Sequence, residues 1–307
     1  MISQALNFIL SSFFLGAMAF SSLPIAEPVN LSELTETRKP SAPIPELIAN
    51  SESLGVEVSA PSFLVVEPNS GAILSEKNAD SVRSIASITK LMTALVILDG
   101  NPDWDQKVTM VLSDFTEESV PVFLFNDQVK VKDLFYAMLV ASSNEAANAL
   151  VRSSGLSREE FIEKMNLIAK LLELDNANFV DPVGLSAGNQ ATAKEVTKLM
   201  SVAYSHSEVR KAASLKSLEV KVLNKNAIRR FVTTNRLLKQ PFGDEGEYLV
   251  EMGKTGFIYS AGYCFTSQVK DKDGRLLLIT VLGTSGINDR FTDTKSLAYW
   301  VFNNYQW

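Results

Sequence analysis

The pairing with most chemical promise in this chain is Ser87-Ile-Thr-Lys90, a serine and a lysine three residues apart at the opening of an apolar run. A serine hydroxyl is a weak nucleophile at neutral pH until a neighbouring base takes its proton. Residues i and i+3 of a helix share a face, so a helix starting here sets Lys90 beside Ser87. The free N–H groups and positive end of that helix favour the neutral amine, and desolvation adds to them. The same spacing recurs as Ser267-Gln-Val-Lys270, but in a strand pattern. There, i and i+3 point to opposite faces, so that second pair cannot meet.

Two further motifs could complete such a site. Ser142-Ser-Asn144 is the one Ser-x-Asn of the sequence and falls in a polar break between two apolar helical stretches. It reads either as a helix N-cap for the residues from Glu145 onward, or as a proton-relaying hydroxyl beside an amide that holds a carbonyl. Lys254-Thr-Gly256 occurs once and opens a late β-rich region. It reads either as a surface hairpin or as a strand edge that pairs with an extended peptide. On the second reading Gly256 allows close backbone approach, Lys254 fixes a positive charge and Thr255 adds a hydroxyl for a carboxylate.

Composition narrows the rest. The 307 residues are 46% apolar and 21% charged, which is globular usage, and the net charge of −6 disfavours a face that tracks nucleic acid. The single cysteine, Cys264, excludes an intrachain disulfide and a cysteine-based zinc site. The single histidine, His206, excludes a multi-histidine metal site, and any Ser-His-Asp triad would need that one residue. His206 reads as a solvated helix-end residue and Cys264 as core.

The elements that must position the motifs follow from periodicity. Ser62–Glu67 and Ala72–Ser75 read as a hairpin about the turn Pro68–Gly71. Helices are expected over Ile88–Leu98, Lys132–Val140 and Glu145–Arg152. Ser157 with Glu160, and Thr192 with Glu195, are capping-box patterns ahead of apolar helical stripes. Strands return at Tyr263–Val269 and Leu276–Leu282, and Phe291–Tyr305 closes as a helix. Strands at both ends around a helical middle predict an α+β domain with a mostly antiparallel sheet.

The beginning of the chain differs in character. Residues 1–25 hold an uncharged apolar run with Ala17-Met-Ala19 as a cleavage pattern, although no Lys or Arg precedes Arg38. We read this stretch as a signal peptide or an N-terminal membrane anchor, which puts the working part outside the cytoplasm, in the cell envelope. Residues 26–60, rich in Pro, Ser and Glu, read as a linker, and 61–307 as the catalytic domain.

The order Ser-x-x-Lys, Ser-x-Asn, Lys-Thr-Gly resembles the signature of penicillin-binding proteins and class A β-lactamases. From about Ser62 onward the sequence is similar to the serine-type D-Ala-D-Ala carboxypeptidases, the low-molecular-mass penicillin-binding proteins. Carrying the resemblance are Ser84–Thr93, Ser142–Ala146, Asn178–Leu185 with Ala191–Glu195, and Gly253–Gly256 with Ala261–Cys264. The resemblance implies a β-lactamase/transpeptidase-like fold and acyl transfer through Ser87, with Lys90 as proton acceptor and Ser142 passing the proton to the leaving amine. Backbone N–H groups of Ser87 and Phe257 would hold the oxyanion. Asn144 would orient the amide, and Lys254, Thr255 and, at a similar distance to the family's late arginine, Arg290 would bind the terminal carboxylate. The implied substrate is a peptidoglycan stem peptide ending in D-Ala-D-Ala, the implied inhibitors are β-lactams, and no metal or cofactor is implied. Phe257-Ile258 stands where these carboxypeptidases commonly carry a polar pair, so side-chain contacts to substrate are expected to differ.

Other readings share the motifs. A D,D-endopeptidase of peptidoglycan cross-links uses the same site and also carries such a Lys-Thr-Gly-Phe segment. A class A-like β-lactamase needs a glutamate four residues before an asparagine, and none lies between Ser142 and Lys254. A non-catalytic wall-binding relative would keep the fold and form no acyl-enzyme.

Overall fold

Strands from the two ends of the domain meet in one sheet. The computed structural model describes residues 43–49, 53–117 and 120–307. In chain order these form strands β1 (Ser62–Val66) and β2 (Ile73–Lys77), then helices α1 (Lys90–Asp99), α2 (Val131–Val140), α3 (Asn144–Ser153), α4 (Arg158–Leu171), α5 (Ala193–Ser205) and α6 (Ser207–Ala213). A hairpin of β3 (Ser217–Val222) and β4 (Ala227–Val232) follows, then β5 (Pro241–Phe242), β6 (Tyr248–Ile258), β7 (Gly262–Asp271), β8 (Leu276–Thr284) and helix α7 (Asp289–Asn304). The main sheet runs β5-β6-β7-β8-β1-β2, antiparallel throughout, with Thr280 of β8 opposite Leu64 of β1. The expected fold class is therefore the observed one.

The sheet is covered on both faces, so its middle strands are apolar on both sides. Along β8, Leu277, Ile279 and Val281 join Phe265, Phe291, Leu297 and Val301 beneath α7. Their neighbours Leu278 and Leu282 turn to the other face and join the core of the helical lobe. This is the period of two that a strand imposes. Helix α1 lies at the centre of the lobe and is buried from Lys90 to Ile97, which explains its nearly unbroken apolar sequence. Both capping boxes form: Ser157 Oγ accepts from Glu160 N, and Thr192 Oγ1 from Glu195 N.

Three differences from expectation bear on the site. First, the helix expected from Ile88 opens with a turn of 3-10 helix at Ala86–Thr89 and becomes α-helical at Lys90. Second, the β3–β4 hairpin and α6 were not anticipated. Third, the end of the stretch read as linker packs on the domain. Val58 and Ala60 are buried, and the Asp293 carboxylate accepts from Ser59 N, Ser59 Oγ and Ala60 N. Upstream, Glu46–Leu47 pairs with Tyr305–Gln306. Residues 1–25, and 26–42 of the stretch read as a linker, lie outside the described residues. Among the described residues no helix is long and apolar enough to cross a membrane.

Candidate active site

Ser87 is placed by a strained turn. Ala86 holds φ at 47°, a left-handed value that disfavours any Cβ-bearing residue. Two glycines make room for this turn. A Cβ on Gly184 would lie 2.1 Å from the Ala86 carbonyl oxygen, and one on Gly256 would lie 2.7 Å from that of Ile85. Ser87 stays partly open, whereas Lys90, one turn on, is wholly buried.

Lys90 Nζ makes three contacts: Ser87 Oγ at 2.9 Å, Asn144 Oδ1 at 2.7 Å and the Val183 carbonyl at 2.6 Å. None of these partners is charged. Burial brings the lysine from its ordinary value down to about 7, against the pull of Asp181 and Glu145 through space. Burial is thus what prepares it. Two of the three acceptors have no hydrogen to offer. Neutral Nζ donates to Asn144 Oδ1 and Val183 O, and its lone pair then faces the Ser87 hydroxyl. A neutral lysine in this cage can only be a proton acceptor toward Ser87.

The loop that carries Val183 is itself tied down. Asp181 Oδ1 accepts from Val183 N and Gly184 N at 2.8 and 2.6 Å, and Oδ2 from Ser186 N at 2.8 Å. Thr93 Oγ1, one turn along α1 from Lys90, donates to Pro182 O at 2.5 Å. Sequence reasoning did not assign Asp181 a role, although Asp181-Pro-Val-Gly184 carries the Asp-Pro-x-Gly signal of a side-chain-stabilised turn.

The second motif resolves its own ambiguity. The cap of α3 is Ser143, whose Oγ accepts from Ala146 N at 3.0 Å. Ser142 is thereby left outside the helix, with φ at 59°, and points its hydroxyl at the third motif. Lys254 Nζ donates to Ser142 Oγ and to the Thr255 carbonyl, both at 2.8 Å. Lys254 is buried and held well below the usual lysine range, first by burial and then by the nearby charges of Lys90 and Arg290.

Lys254, Thr255, Gly256 and Phe257 all lie on β6, the first strand of the β6–β7 hairpin, and the first three of them are buried. Among the described residues, the side of β6 away from β7 is paired at Tyr248 and Leu249 by β5 and at Val250 by a single bridge from Leu238, and carries no strand beyond these. Its open edge at Gly256 runs beside the Ser87 turn. Thr255 Oγ1 is 2.6 Å from Thr234 Oγ1, a hydroxyl that sequence reasoning missed because nothing local marks it. Phe257 is 38% exposed and stacks on Tyr263 with ring centroids 4.2 Å apart, so the position after Gly256 presents an aromatic face to solvent.

Arg290 is set apart from the other candidates. It is the second residue of α7, and its Nη1 donates to the carbonyls of Gly256 at 3.0 Å and Cys264 at 3.4 Å. Its guanidinium lies over the rings of Tyr263 and Phe291, and burial brings it down to about 10. Those contacts brace the backbone of β6 and β7 from behind. Cys264 is buried in β7, where burial pushes the thiol up to about 11. His206 separates α5 from α6, half-buried, with no side-chain capping bond, where burial and Arg210 hold its imidazole below the ordinary range.

The motifs are accordingly brought into one cleft, with two hydroxyls facing outward and two buried lysines behind them. The family model described as D-alanyl-D-alanine carboxypeptidase matches residues 48–285. A D-alanyl-D-alanine endopeptidase of Pseudomonas aeruginosa is 30% identical over 285 residues, 92% of this chain and 86% of that protein. A D-alanyl-D-alanine carboxypeptidase of Streptomyces sp. (strain K15) is 33% identical over 247 residues, 75% of this chain and 82% of that protein. Among solved structures, penicillin-binding protein D2 of Listeria monocytogenes in its ampicillin-bound form superimposes with a TM-score of 0.69 at 30% identity, covering 81% of this chain and 100% of that one.

Proposed function

The chain belongs to the D-alanyl-D-alanine carboxypeptidase family, and we propose that it hydrolyses the terminal D-Ala-D-Ala bond of peptidoglycan stem peptides through an acyl-enzyme on Ser87. It is a serine-type peptidase with the α+β fold of the penicillin-binding D,D-peptidases. The single observation that carries the assignment of residues is the wholly buried amine of Lys90, 2.9 Å from Ser87 Oγ.

Ser87 Oγ attacks the carbonyl carbon while Lys90 Nζ takes its proton. Backbone N–H groups of Ser87 and Phe257 hold the oxyanion. The C–N bond then breaks, and Ser142, with Lys254 beside it, passes a proton to the leaving amine. Asn144 orients the acyl chain's amide, and Lys254 and Thr255 hold the terminal carboxylate. Arg290 contributes by fixing the Gly256 carbonyl, and through it the strand that meets the substrate. Water completes the cycle by releasing the trimmed peptide from Ser87. A β-lactam acylates the same oxygen because its ring amide stands in for the D-Ala-D-Ala amide.

A second reading is favoured by a separate observation: the P. aeruginosa relative is named an endopeptidase. Cleavage of a D-Ala cross-link differs only in the leaving amine, which belongs to a neighbouring stem. The enzyme acts at the cell envelope. Residues 1–25 would export or anchor it, and the residues between them and the strand at Glu46–Leu47 would serve as the tether between anchor and domain.

The test is intact mass after exposure to benzylpenicillin, beside Ser87→Ala. A lasting adduct on the unaltered protein alone supports the acyl-serine reading. A fleeting adduct with consumed penicillin would point to a β-lactamase instead. No adduct, together with no D-Ala release from a pentapeptide, would leave a silent wall-binding relative. D-Ala release measured against cleavage of a cross-linked dimer then ranks the two peptidase activities.

A further inference from the structure

Arg236 is an exposed cation beside the cleft that the steps above do not use. It lies on the segment between β4 and β5, two residues after Thr234, whose hydroxyl oxygen is 2.6 Å from that of Thr255. Its own side chain reaches toward α7, where Nη1 donates to Asn288 Oδ1 at 2.9 Å. Asn288 immediately precedes α7, two residues ahead of Arg290, whose Nη1 donates to the Gly256 carbonyl at 3.0 Å. Both ties lead to Thr255-Gly256. They hold the guanidinium at the end of the cleft where the terminal carboxylate and the leaving group belong.

An exposed arginine is ordinarily a mobile, solvated side chain whose ion pairs contribute little. This one is held at its tip. The acceptor that holds it is neutral, takes one of five N–H donors and leaves the charge unanswered. Among the described residues Arg236 enters no ion pair. Asp289, the acidic neighbour of Asn288, accepts from Gly286 N instead. The other charged side chains tied to this end of the cleft, Lys254 and Arg290, are also cations. Lys254 and Thr255 suffice for one carboxylate, and a fixed guanidinium outside them suits a second.

We propose that Arg236 is a specificity-determining residue on the leaving-group side, binding a second carboxylate of the departing amine beyond the one held by Lys254 and Thr255. A departing D-Ala has a single carboxylate and none to spare. The departing stem of a cross-link is itself a peptide and brings a further carboxylate at its own end. The contact therefore favours release of a cross-linked stem over release of D-Ala. The inference rests on the reading of Ser87 as the acylated nucleophile, with the first carboxylate at Lys254 and Thr255.

Two acyl-D-Ala peptides that differ only in the departing residue test it: one ends in D-Glu, with a second carboxylate, the other in D-Gln, its neutral isostere. Release of each, followed by mass spectrometry, should give a kcat/KM about three- to fivefold higher for D-Glu, chiefly through KM. The ratio should shrink toward one as ionic strength rises from about 0.05 to 0.5 M. Arg236→Gln, which can still bond Asn288, should bring the ratio to about one, and Arg236→Lys should keep part of it. A side chain that merely ties the segment to α7 would depress both rates and leave the ratio alone. The ratio is internal to each preparation, so a variant that folds poorly still decides. A ratio of one in the unaltered protein, or a preference that Arg236→Gln leaves in place, would overturn the inference. Release of neither residue from a protein that benzylpenicillin still acylates would overturn it as well. No release and no adduct would overturn the reading of Ser87 instead.

Discussion

Lys254 and Ser142 stand 112 residues apart in the chain and 2.8 Å apart in the fold, amine nitrogen to hydroxyl oxygen. The bond spans the cleft, from the open edge of the sheet to the break between α2 and α3. It ties Ser142 to a buried amine, while its neighbour Ser143 caps α3.

Removing that amine should be costly for chemistry. Lys254→Ala is expected to slow acylation by benzylpenicillin by about 10²–10³. Lys254→Arg should not restore it, since the position is 2% exposed and a planar guanidinium does not replace a compact ammonium. Adduct accumulation by intact mass reads both, and an unchanged rate for Lys254→Ala would take this residue out of the reaction.

Lys90 sets a pH dependence of stability as well as of rate. An unfolded lysine titrates near 10.5, and this one near 7 when folded. Between those values the folded state binds fewer protons than the unfolded state, so stability rises with pH across that window and is lowest below it. Acylation, which needs the neutral amine, should fall as pH drops through about 7. Lys90→Met removes the titration. Its Tm relative to the unaltered protein should therefore be higher at pH 6 than at pH 9, and a difference independent of pH would contradict the buried, lowered amine.

Gly184 tests the strained turn. Gly184→Ala sets a methyl against the Ala86 carbonyl oxygen at 2.1 Å, with φ at +85°. The expected loss is about 2–4 kcal/mol, with acylation falling alongside because Ser87 is displaced. Gly155→Ala is the control. Its φ is +81° but nothing lies within 4 Å, so about 1–2 kcal/mol and unchanged acylation are expected in denaturant titrations and adduct assays.

Phe257 separates main-chain from side-chain roles. Its N–H is a candidate oxyanion donor, and any residue but proline supplies that. Phe257→Ala should therefore leave the maximal acylation rate within about threefold while raising KM for peptide substrates, as the aromatic face on Tyr263 is lost. A collapse of the maximal rate with unaltered KM would place the ring in the chemistry.

Local chemistry made much of this legible in the sequence. The capping boxes at Ser157 and Thr192 and the alternation in β7 and β8 depend on neighbours within a few residues. So does the spacing of Ser87 and Lys90. Glu145, Asp181 and Thr234 were not assigned, because each acts on a residue far along the chain: Val122, the Lys90 cage and Thr255. The β3–β4 hairpin did carry a signal, since Leu218, Val220 and Val222 alternate with charged residues. That hairpin is fastened to the lobe by Lys225 and Arg229 on the buried Asp127, contacts that no periodicity reveals. Ser267-Gln-Val-Lys270 was rightly set aside, with Ser267 buried and Lys270 facing Glu251.

Helix α7 joins two remote parts of the molecule. Near its start, Arg290 holds the Gly256 carbonyl at the cleft, and just past its end, Tyr305 and Gln306 pair with Glu46 and Leu47. At 1.5 Å per residue the two stations lie about 22 Å apart along the axis. Glu46 and Leu47 therefore dock on the folded body far from the reacting edge, and a pull on that short strand would be borne by the far end of α7 rather than by the cleft.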